Sequence, residues 1–227
     1  ARLAIGAAIT QLLLLASLHI LIPEFDPSWR VISEYANGEY GWVLSLMFIS
    51  GALSNWALAF AIWRQVNTRA GKFGLVLLIA AGVGSAMASV FDIDHPLHNV
   101  SGMISVLSFP VAAMLISVSL GRAQPWSSKK QALLWTANLI WINFVVFLVT
   151  MVILIVTLPR AGGEMTGHVK ELPPGVIAVN GWPNRLIVVT SCVWVITVAR
   201  HAIRLGRDTN ARKSLCTGLD NPKDEPT

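Results

Sequence analysis

The segment FDIDHPLHN at residues 91–99 places two aspartates and two histidines within seven residues, between two apolar runs. Carboxylates and imidazoles bind Zn²⁺, and bound Zn²⁺ can activate water for hydrolysis. If a metal is present, the expected ligands are Asp92, Asp94 and His98, although their spacing matches no short zinc motif. The segment also suits a plain polar turn, in which Asp94 caps the next helix and Pro96 lies in its first turn.

A row of serines continues from this segment into the following apolar run. Ser101, Ser105 and Ser108 follow His98 at i+3, i+7 and i+10, and this spacing places the four side chains on one face of a helix. Pro110 then removes a helical hydrogen bond near the middle of the run. The pattern predicts a polar stripe that begins at the segment and continues into a membrane-spanning helix.

Further ionisable and hydroxyl side chains flank other apolar runs. His19 is near the end of the first run, Glu34 and Tyr35 are in the loop after it, and Arg185 is at the start of the last run. Ionisable residues at the edge of a membrane are costly and therefore indicate function. If the helices close into one bundle, these groups meet at its mouth. The predicted pocket residues are His19, Glu34, Tyr35, Asp92, Asp94, His98, Ser101 and Arg185.

Zinc and haem are the two cofactors that the residues of this site could bind. Zinc is compatible with the carboxylate and imidazole ligands, but the residues do not require it. A haem ligated by His19 and His98 from two spans is not favoured, because the sequence offers only the two histidines in its support. The cofactor therefore stays undetermined.

The composition is that of a membrane protein. Of the 227 residues, 54% are hydrophobic and 13% are charged, whereas an average soluble domain is roughly 25% charged. A helix crosses the bilayer core with about 20 apolar residues, and six runs reach about that length. The predicted fold class is all-α: a polytopic integral membrane protein with a bundle of six transmembrane helices in residues 1–206. The predicted spans are residues 3–22, 42–63, 73–91, 100–120, 133–158 and 182–203.

Charged residues are divided unequally between the two sides of the predicted bundle. Thirteen of the 17 lysines and arginines fall on the side of the termini, as cytoplasmic loops do. We therefore expect a multi-pass protein of the inner (plasma) membrane with cytoplasmic termini, and a polar cytoplasmic tail at residues 207–227. Eight of the 12 acidic residues and four of the 5 histidines fall on the other side, which places titratable chemistry outside the cytoplasm. The net charge of +5 does not indicate nucleic-acid binding, because no compact basic and aromatic face accompanies it.

The loop between the first two spans is predicted to hold a short amphipathic helix that lies in the outer membrane interface. Asp26 is placed to cap this helix, and Pro27 suits its first position. Gly38 is expected to end it in the left-handed conformation. Aromatic residues of the loop, including Trp29 and Tyr35, are expected at headgroup depth.

Three segments resemble a known family. HILIPEFDPSWRVISEYANGEYGW at residues 19–42 looks like the first-loop signature of a bacterial integral-membrane family catalogued as domain of unknown function nine-nine-eight. The stretch at residues 91–102 and GWPNR at residues 181–185 resemble the other two marks of that family. The FDID loop is shorter here than in the family, and His98 is taken as the family histidine because Ser-Gly follows shortly after it. The resemblance covers all six spans and implies a six-helix membrane protein, but no reaction.

Three functions are compatible with these features. The leading hypothesis is an extracytoplasmic polar pocket that binds or handles a lipid or another amphipathic small molecule, with membrane lipids as partners. The first alternative is a metal-dependent membrane hydrolase acting on a lipid-like substrate; residue types are distantly similar to alkaline ceramidases, but His201 is alone where those enzymes have paired histidines. The second is an accessory subunit that packs against a larger membrane complex. Whether the protein is an enzyme stays open.

Overall fold

The computed structural model describes residues 1–91, 95–163 and 172–219, with side chains as far as residue 208. The described residues form helices joined by irregular connections and contain no strand. Six long helices carry the fold, and two 3₁₀ helices, Ile32–Asn37 and Gln124–Lys129, lie in connections. The six are α1 (Arg2–Leu21), α2 (Gly41–Ile62), α3 (Arg69–Ala88), α4 (Pro96–Gly121), α5 (Lys130–Arg160) and α6 (Gly181–Leu219).

All six helices are long and apolar enough to cross a membrane. The predicted all-α class with six membrane-spanning helices is therefore confirmed. Many large apolar side chains face outward, among them Phe60 at 74% exposure and Ile20 at 79%. Such surfaces are unusual on soluble proteins, and they are expected where a helix faces lipid.

The helix starts show which residues cap them. Thr68 precedes α3, and its hydroxyl accepts a hydrogen bond from the Gly71 N–H at 3.0 Å. His95 precedes α4, and its Nδ1 accepts from the Leu97 N–H at 3.2 Å. The prediction that Asp94 caps this helix is wrong, because the helix begins at Pro96 and its cap position is one residue later than expected. Asp94 itself lies outside the described residues.

The helices form a closed ring. Each helix contacts the next one in the sequence, and α6 returns to contact α1. Loop one, which we define as residues 22–40, connects α1 to α2 and contacts α2 and α6. The starts of α4 and α6 lie at the same end of the ring as loop one; we call this the loop-one end, and the opposite end, which carries the chain N-terminus, the terminal end.

Small residues let neighbouring helices approach closely. A Cβ atom on Gly84 of α3 would lie 2.6 Å from the Ser101 carbonyl oxygen on α4. A Cβ on Gly51 of α2 would lie 2.7 Å from Nε2 of Gln11 on α1. Close approach at small residues is the usual way in which membrane helices associate. The close contacts at these glycines pack α1 against α2 and α3 against α4.

The apolar core is divided between the two ends. The larger cluster fills the terminal end and includes Leu58, Leu78, Ile116 and Trp194, all buried. The smaller cluster lies beneath loop one. Its buried members are Leu15, Leu18, Ile22, Ile32, Tyr35, Val43, Leu44 and Met47.

Helix α6 continues beyond the predicted span, which ends at residue 203, and reaches Leu219. The added segment, residues 204–219, is polar and contains three Arg and three Leu, which have high helix propensity. Residues 207–219 of the predicted tail are helical, and residues 220–227 lie outside the described part of the chain.

Candidate functional site

Loop one folds inward against the helix ends. Asp26 accepts a hydrogen bond from the Ser28 N–H at 2.9 Å and so forms a local turn, which lowers the pKa of its carboxyl group. The helix that follows begins only at Ile32, and Gly38 ends it with an extended backbone at φ −89°. Tyr35 is fully buried. A short helix is therefore present in the loop, but the predicted Asp26 cap and left-handed Gly38 are wrong, because the burial of Ile32 and Tyr35 against the bundle places the helix later in the loop. Its position in the membrane interface stays a prediction.

Arg185, on the first turn of α6, is the centre of a buried polar network. Its side chain donates four hydrogen bonds and is only 3% exposed. Nε donates to His19 Nε2 at 2.7 Å, and one terminal nitrogen donates to the Tyr35 hydroxyl at 3.0 Å. The other donates to the carbonyls of Arg30 at 2.7 Å and Gly181 at 3.0 Å. Arg185 thereby joins α1, loop one and α6 at one point.

The hydrogen bonds of His19 define its tautomer. Its Nδ1 lies 2.7 Å from the Leu15 carbonyl oxygen, which can only accept, so Nδ1 carries the proton. Its Nε2 receives the Arg185 Nε–H and therefore acts as an acceptor. With both ring nitrogens engaged, the neutral imidazole of His19 orients Arg185 and has no lone pair left for a metal or haem iron.

Arg30 and Glu34 form a second pair beside this network. The Arg30 guanidinium contacts a Glu34 carboxylate oxygen at 2.9 Å, and its Cζ lies 4.5 Å from the ring centroids of both Phe25 and Trp29. Burial raises the pKa of Glu34, while the Val31 N–H and the charge of Arg30 act in the opposite direction. The pair fixes the start of the 3₁₀ helix, because Glu34 also accepts the Val31 N–H at 3.0 Å.

Two asparagines near the start of α6 bind the loop-one backbone. Asn184 Oδ1 accepts the Ile32 N–H at 2.9 Å, and Asn180 Nδ2 donates to the Trp29 carbonyl at 2.7 Å. The Gly181 N–H donates to the Ser28 carbonyl at 3.0 Å. A Cβ atom on Gly181 would collide with the loop-one backbone. Loop one is therefore held to α6 along most of the stretch from Ser28 to Ile32.

A cavity of about 520 Å³ lies inside the ring. All six helices and loop one contribute to its wall, which is mainly apolar. Pockets for small molecules commonly have volumes of about 300–1,000 Å³ and a few polar groups in an apolar lining. Its polar lining residues are Gln11, Ser33, Ser54, Asn55, Ser85, His98, Asn99, Ser105, Asn184, Ser191 and Cys192.

Two buried polar side chains in this wall lack complete hydrogen bonding within the described structure. Asn55, in α2, is 6% exposed, and its amide has no hydrogen-bond partner among the described residues. His98, in α4, is also 6% exposed; its Nδ1 donates to the Phe91 carbonyl at 2.8 Å, and its Nε2 contacts no described partner. Both side chains line the cavity. A polar group placed there would find one amide and one imidazole nitrogen available.

The structure separates the predicted pocket residues into two groups. His19, Tyr35 and Arg185 bind one another, and Glu34 is next to them through Arg30. His98 lines the cavity instead. Ser101 is buried and its hydroxyl donates to the His98 carbonyl at 2.6 Å, so it supports the helix.

The predicted metal ligands are only partly visible. Asp92 and Asp94 lie outside the described residues. Among the residues that are described, no group of three or more His, Cys, Asp or Glu side chains could hold a metal ion. The zinc hypothesis stays a prediction.

Sequence reasoning did not identify Asn55, Asn180 and Asn184 as site residues. Asn55 stands in an apolar span, where a polar amide is costly and therefore informative. Asn184 belongs to the GWPNR segment, whose Arg185 was the more conspicuous residue. Asn180 offered no signal, because its role depends on the position of the Trp29 carbonyl 151 residues earlier.

Comparison with known proteins gives one match. The family described as protein of unknown function (DUF998) matches residues 4–201. The chain belongs to this family. The match includes all of the residues of the Arg185 network and all of the cavity wall, so both are features of the DUF998 region. No curated protein and no solved structure matches the chain.

Proposed function

We propose that this DUF998 protein binds an uncharged amphipathic molecule of the membrane, such as a neutral lipid, in the cavity of its helical ring. The observation that carries the proposal is that the Asn55 amide and His98 Nε2, on two residues that line the cavity, have no hydrogen-bond partner among the described residues. These polar atoms are not among the fully enclosed unpaired atoms of the described residues, so they are open to a ligand in the cavity. A bound hydroxyl or ester group would hydrogen-bond to them, with a gain of about 1 kcal/mol for each bond.

The side chains that line the cavity favour an uncharged ligand. No Asp, Glu, Lys or Arg contributes to the described part of the cavity wall. A charged headgroup would therefore lose its hydration inside the ring without gaining an opposite charge. A neutral polar group with an apolar chain satisfies both the asparagine and histidine and the apolar wall.

The Arg185 network supports this function from outside the cavity. It holds loop one to α6, and this placement fixes Val31, Ile32 and Ser33 in the cavity wall. Arg185 is a positioning residue in this proposal and does not contact the ligand.

The test compares two matched variants, Asn55→Leu and Asn143→Leu. Asn143 is in α5, is not part of the cavity wall, and lies 3.5 Å from the Thr190 hydroxyl. The probe is a monoacylglycerol in phosphatidylcholine nanodiscs containing the full chain, with binding measured by native mass spectrometry. Loss of one neutral hydrogen bond is worth about 1 kcal/mol, so N55L should weaken binding about fivefold. Equal affinities for N55L, N143L and the unchanged protein would contradict the proposal.

The two alternatives stay predictions. A metal-dependent hydrolase would need Asp92 and Asp94 to join His98, and stoichiometric zinc in the purified protein, lost in Asp92→Ala and His98→Ala, would support it. An accessory role in a larger membrane complex would be supported by co-purification with a fixed partner.

The orientation is also part of the proposal. We place both termini in the cytoplasm and the loop-one end outside, in the plasma membrane, because the Lys and Arg residues concentrate at the terminal end. Labelling intact cells with a membrane-impermeant maleimide should modify a His168→Cys variant and leave Cys216 unmodified. The reverse labelling pattern would invert the orientation.

A further inference from the structure

The cavity is covered at the loop-one end. Val31, Ile32 and Ser33 form part of its wall there. The backbone of this stretch is held by Asn184, which accepts the Ile32 N–H, and by Arg185, which donates to the Arg30 carbonyl. Ile32 is buried, and Val31 and Ser33 are half-buried. Loop one is thus a fixed cover over this end of the cavity.

The terminal end is filled by the larger apolar cluster. Leu58, Ile116 and Trp194 are fully buried there, and the Trp194 indole N–H donates to the Ser117 hydroxyl at 2.9 Å. The part of α4 and α5 that belongs to this cluster is residues 109–120 and 133–140. These two helices therefore pack together near their connection.

The cavity opens sideways, where α4 and α5 no longer share this core. The cavity wall includes residues 98–109 of α4 and residues 144–151 of α5. The described wall residues that are exposed all lie on these two helices: Asn99, Met103, Leu107 and Leu148. Met103 is 62% exposed, Leu107 47% and Leu148 44%. The rim of the opening is mostly apolar.

The opening lies at a depth that faces hydrocarbon. Leu107 is eleven residues from the start of α4, and Leu148 is twelve residues before the end of α5. At 1.5 Å per residue both are about 17 Å from the loop-one ends of their helices, which is near the middle of a bilayer core about 30 Å thick.

We infer that the gap between α4 and α5 is a lateral portal, through which an uncharged membrane lipid enters the cavity from the bilayer and in which its acyl chain remains. The inference rests on the proposed binding function and adds its route and orientation. The polar part of the lipid reaches Asn55 and His98, and the chain lies between Met103, Leu107 and Leu148. The apolar rim excludes a soluble, strongly hydrated ligand.

Photo-crosslinking tests the orientation. Two monoacylglycerol probes are placed in phosphatidylcholine vesicles containing the full chain; one carries a diazirine at the chain terminus and the other carries it next to the glycerol. The chain-terminal probe should label the peptides of Met103, Leu107 and Leu148. The glycerol-side probe should label α2 near Asn55 or α4 near His98. Tenfold excess unlabelled monoacylglycerol should remove both signals.

A matched pair of glycine variants tests the route. Gly102 lines the cavity, and a Cβ atom there meets open space; Gly6, in α1, is equally open but is not part of the wall. An indole at residue 102 therefore obstructs the portal without displacing backbone. Gly102→Trp should lower labelling by the chain-terminal probe at least tenfold, whereas Gly6→Trp should leave it within twofold of the unchanged protein.

The outcomes separate the two proposals. Glycerol-side labelling inside the cavity together with chain-terminal labelling of loop one, or equal labelling in G102W and G6W, would overturn the portal and leave the binding function standing. If neither probe labels the cavity wall, the binding function fails and the portal fails with it.

Discussion

The Arg185 network and the cavity are both polar regions inside an apolar ring, but their hydrogen bonding differs. In the network, the charged side chain of Arg185 is buried and donates to acceptors at 2.7 to 3.0 Å. In the cavity, the polar side chains are neutral, and Asn55 and His98 have atoms with no described partner. Fully paired groups make a region rigid, while unpaired ones are available to a ligand. The difference favours a structural role for the network and is the basis on which we propose binding in the cavity.

The largest effect should come from removing the centre of the network. Arg185→Met leaves His19, Tyr35 and the Arg30 carbonyl without their hydrogen-bond donor. Removing one partner from a buried charged interaction lowers the free energy of unfolding by about 3–5 kcal/mol. For a chain of this size the Tm in detergent should fall by about 10 °C. Arg160→Met, which alters an exposed arginine at the same end, is the control. Equal melting temperatures for the two variants would show that the network does not hold the fold.

A smaller loss should follow when one acceptor is removed. Tyr35→Phe deprives Arg185 of the Tyr35 hydroxyl and leaves a buried donor unsatisfied, at a cost of about 1–3 kcal/mol. Tyr40→Phe is the matched change at a half-buried tyrosine in the same loop. The two variants are compared by thermal unfolding. A Y35F protein as stable as Y40F would mean that this hydrogen bond contributes nothing.

Thermal unfolding should show no loss of stability, or a small gain, when a polar residue of the cavity wall is replaced. Asn55→Leu removes an amide that no described residue satisfies, so the ligand-free protein should keep its Tm or gain up to about 1 kcal/mol of stability, even though it binds lipid less well. Loss of stability comparable to that of Y35F would place Asn55 among the structural residues and erase the contrast between the two regions.

The smallest effect concerns the pH dependence of the Arg30–Glu34 pair. Burial raises the pKa of Glu34 above its ordinary 4.5, so the folded state retains its proton to higher pH than the unfolded state. The stability of the unchanged protein relative to Glu34→Gln should therefore fall as the pH rises from 4.5 through the raised pKa. Thermal unfolding of both proteins across this range measures the difference. A relative stability that rises with pH would show that the Arg30 ion pair outweighs burial.

Hydropathy alone predicts the membrane fold. The six apolar runs become α1 to α6 because each is long enough to cross the bilayer core. Their end positions shift by a few residues, except at α6, which reaches Leu219 instead of ending at residue 203. Loop one is different. Its Asp26, Pro27 and Gly38 have the residue types of a helix start and stop, yet the burial of Ile32 and Tyr35 moves the helix to residues 32–37. Tertiary packing overrides local propensity in this segment.

The candidate site was predictable as a set of residues but not as an arrangement. His19 and Arg185 are unusual in a membrane span and are visible in the sequence for that reason. Their contact spans 166 residues, and it depends on α6 returning to α1, which no local pattern shows. The cavity is lined by all six helices, so the position of Asn55 in its wall appears only in three dimensions.

The closed ring also has a consequence for biogenesis. His19 is in α1, and its partner Arg185 lies 166 residues later, in α6. During insertion α1 therefore enters the membrane before the arginine that satisfies its imidazole has been synthesised. Helix α6 carries that arginine near its start and buries it against α1 and loop one, which are already in place. Ring closure and burial of the arginine are therefore a single late step, and a chain truncated before residue 185 would remain open along α1.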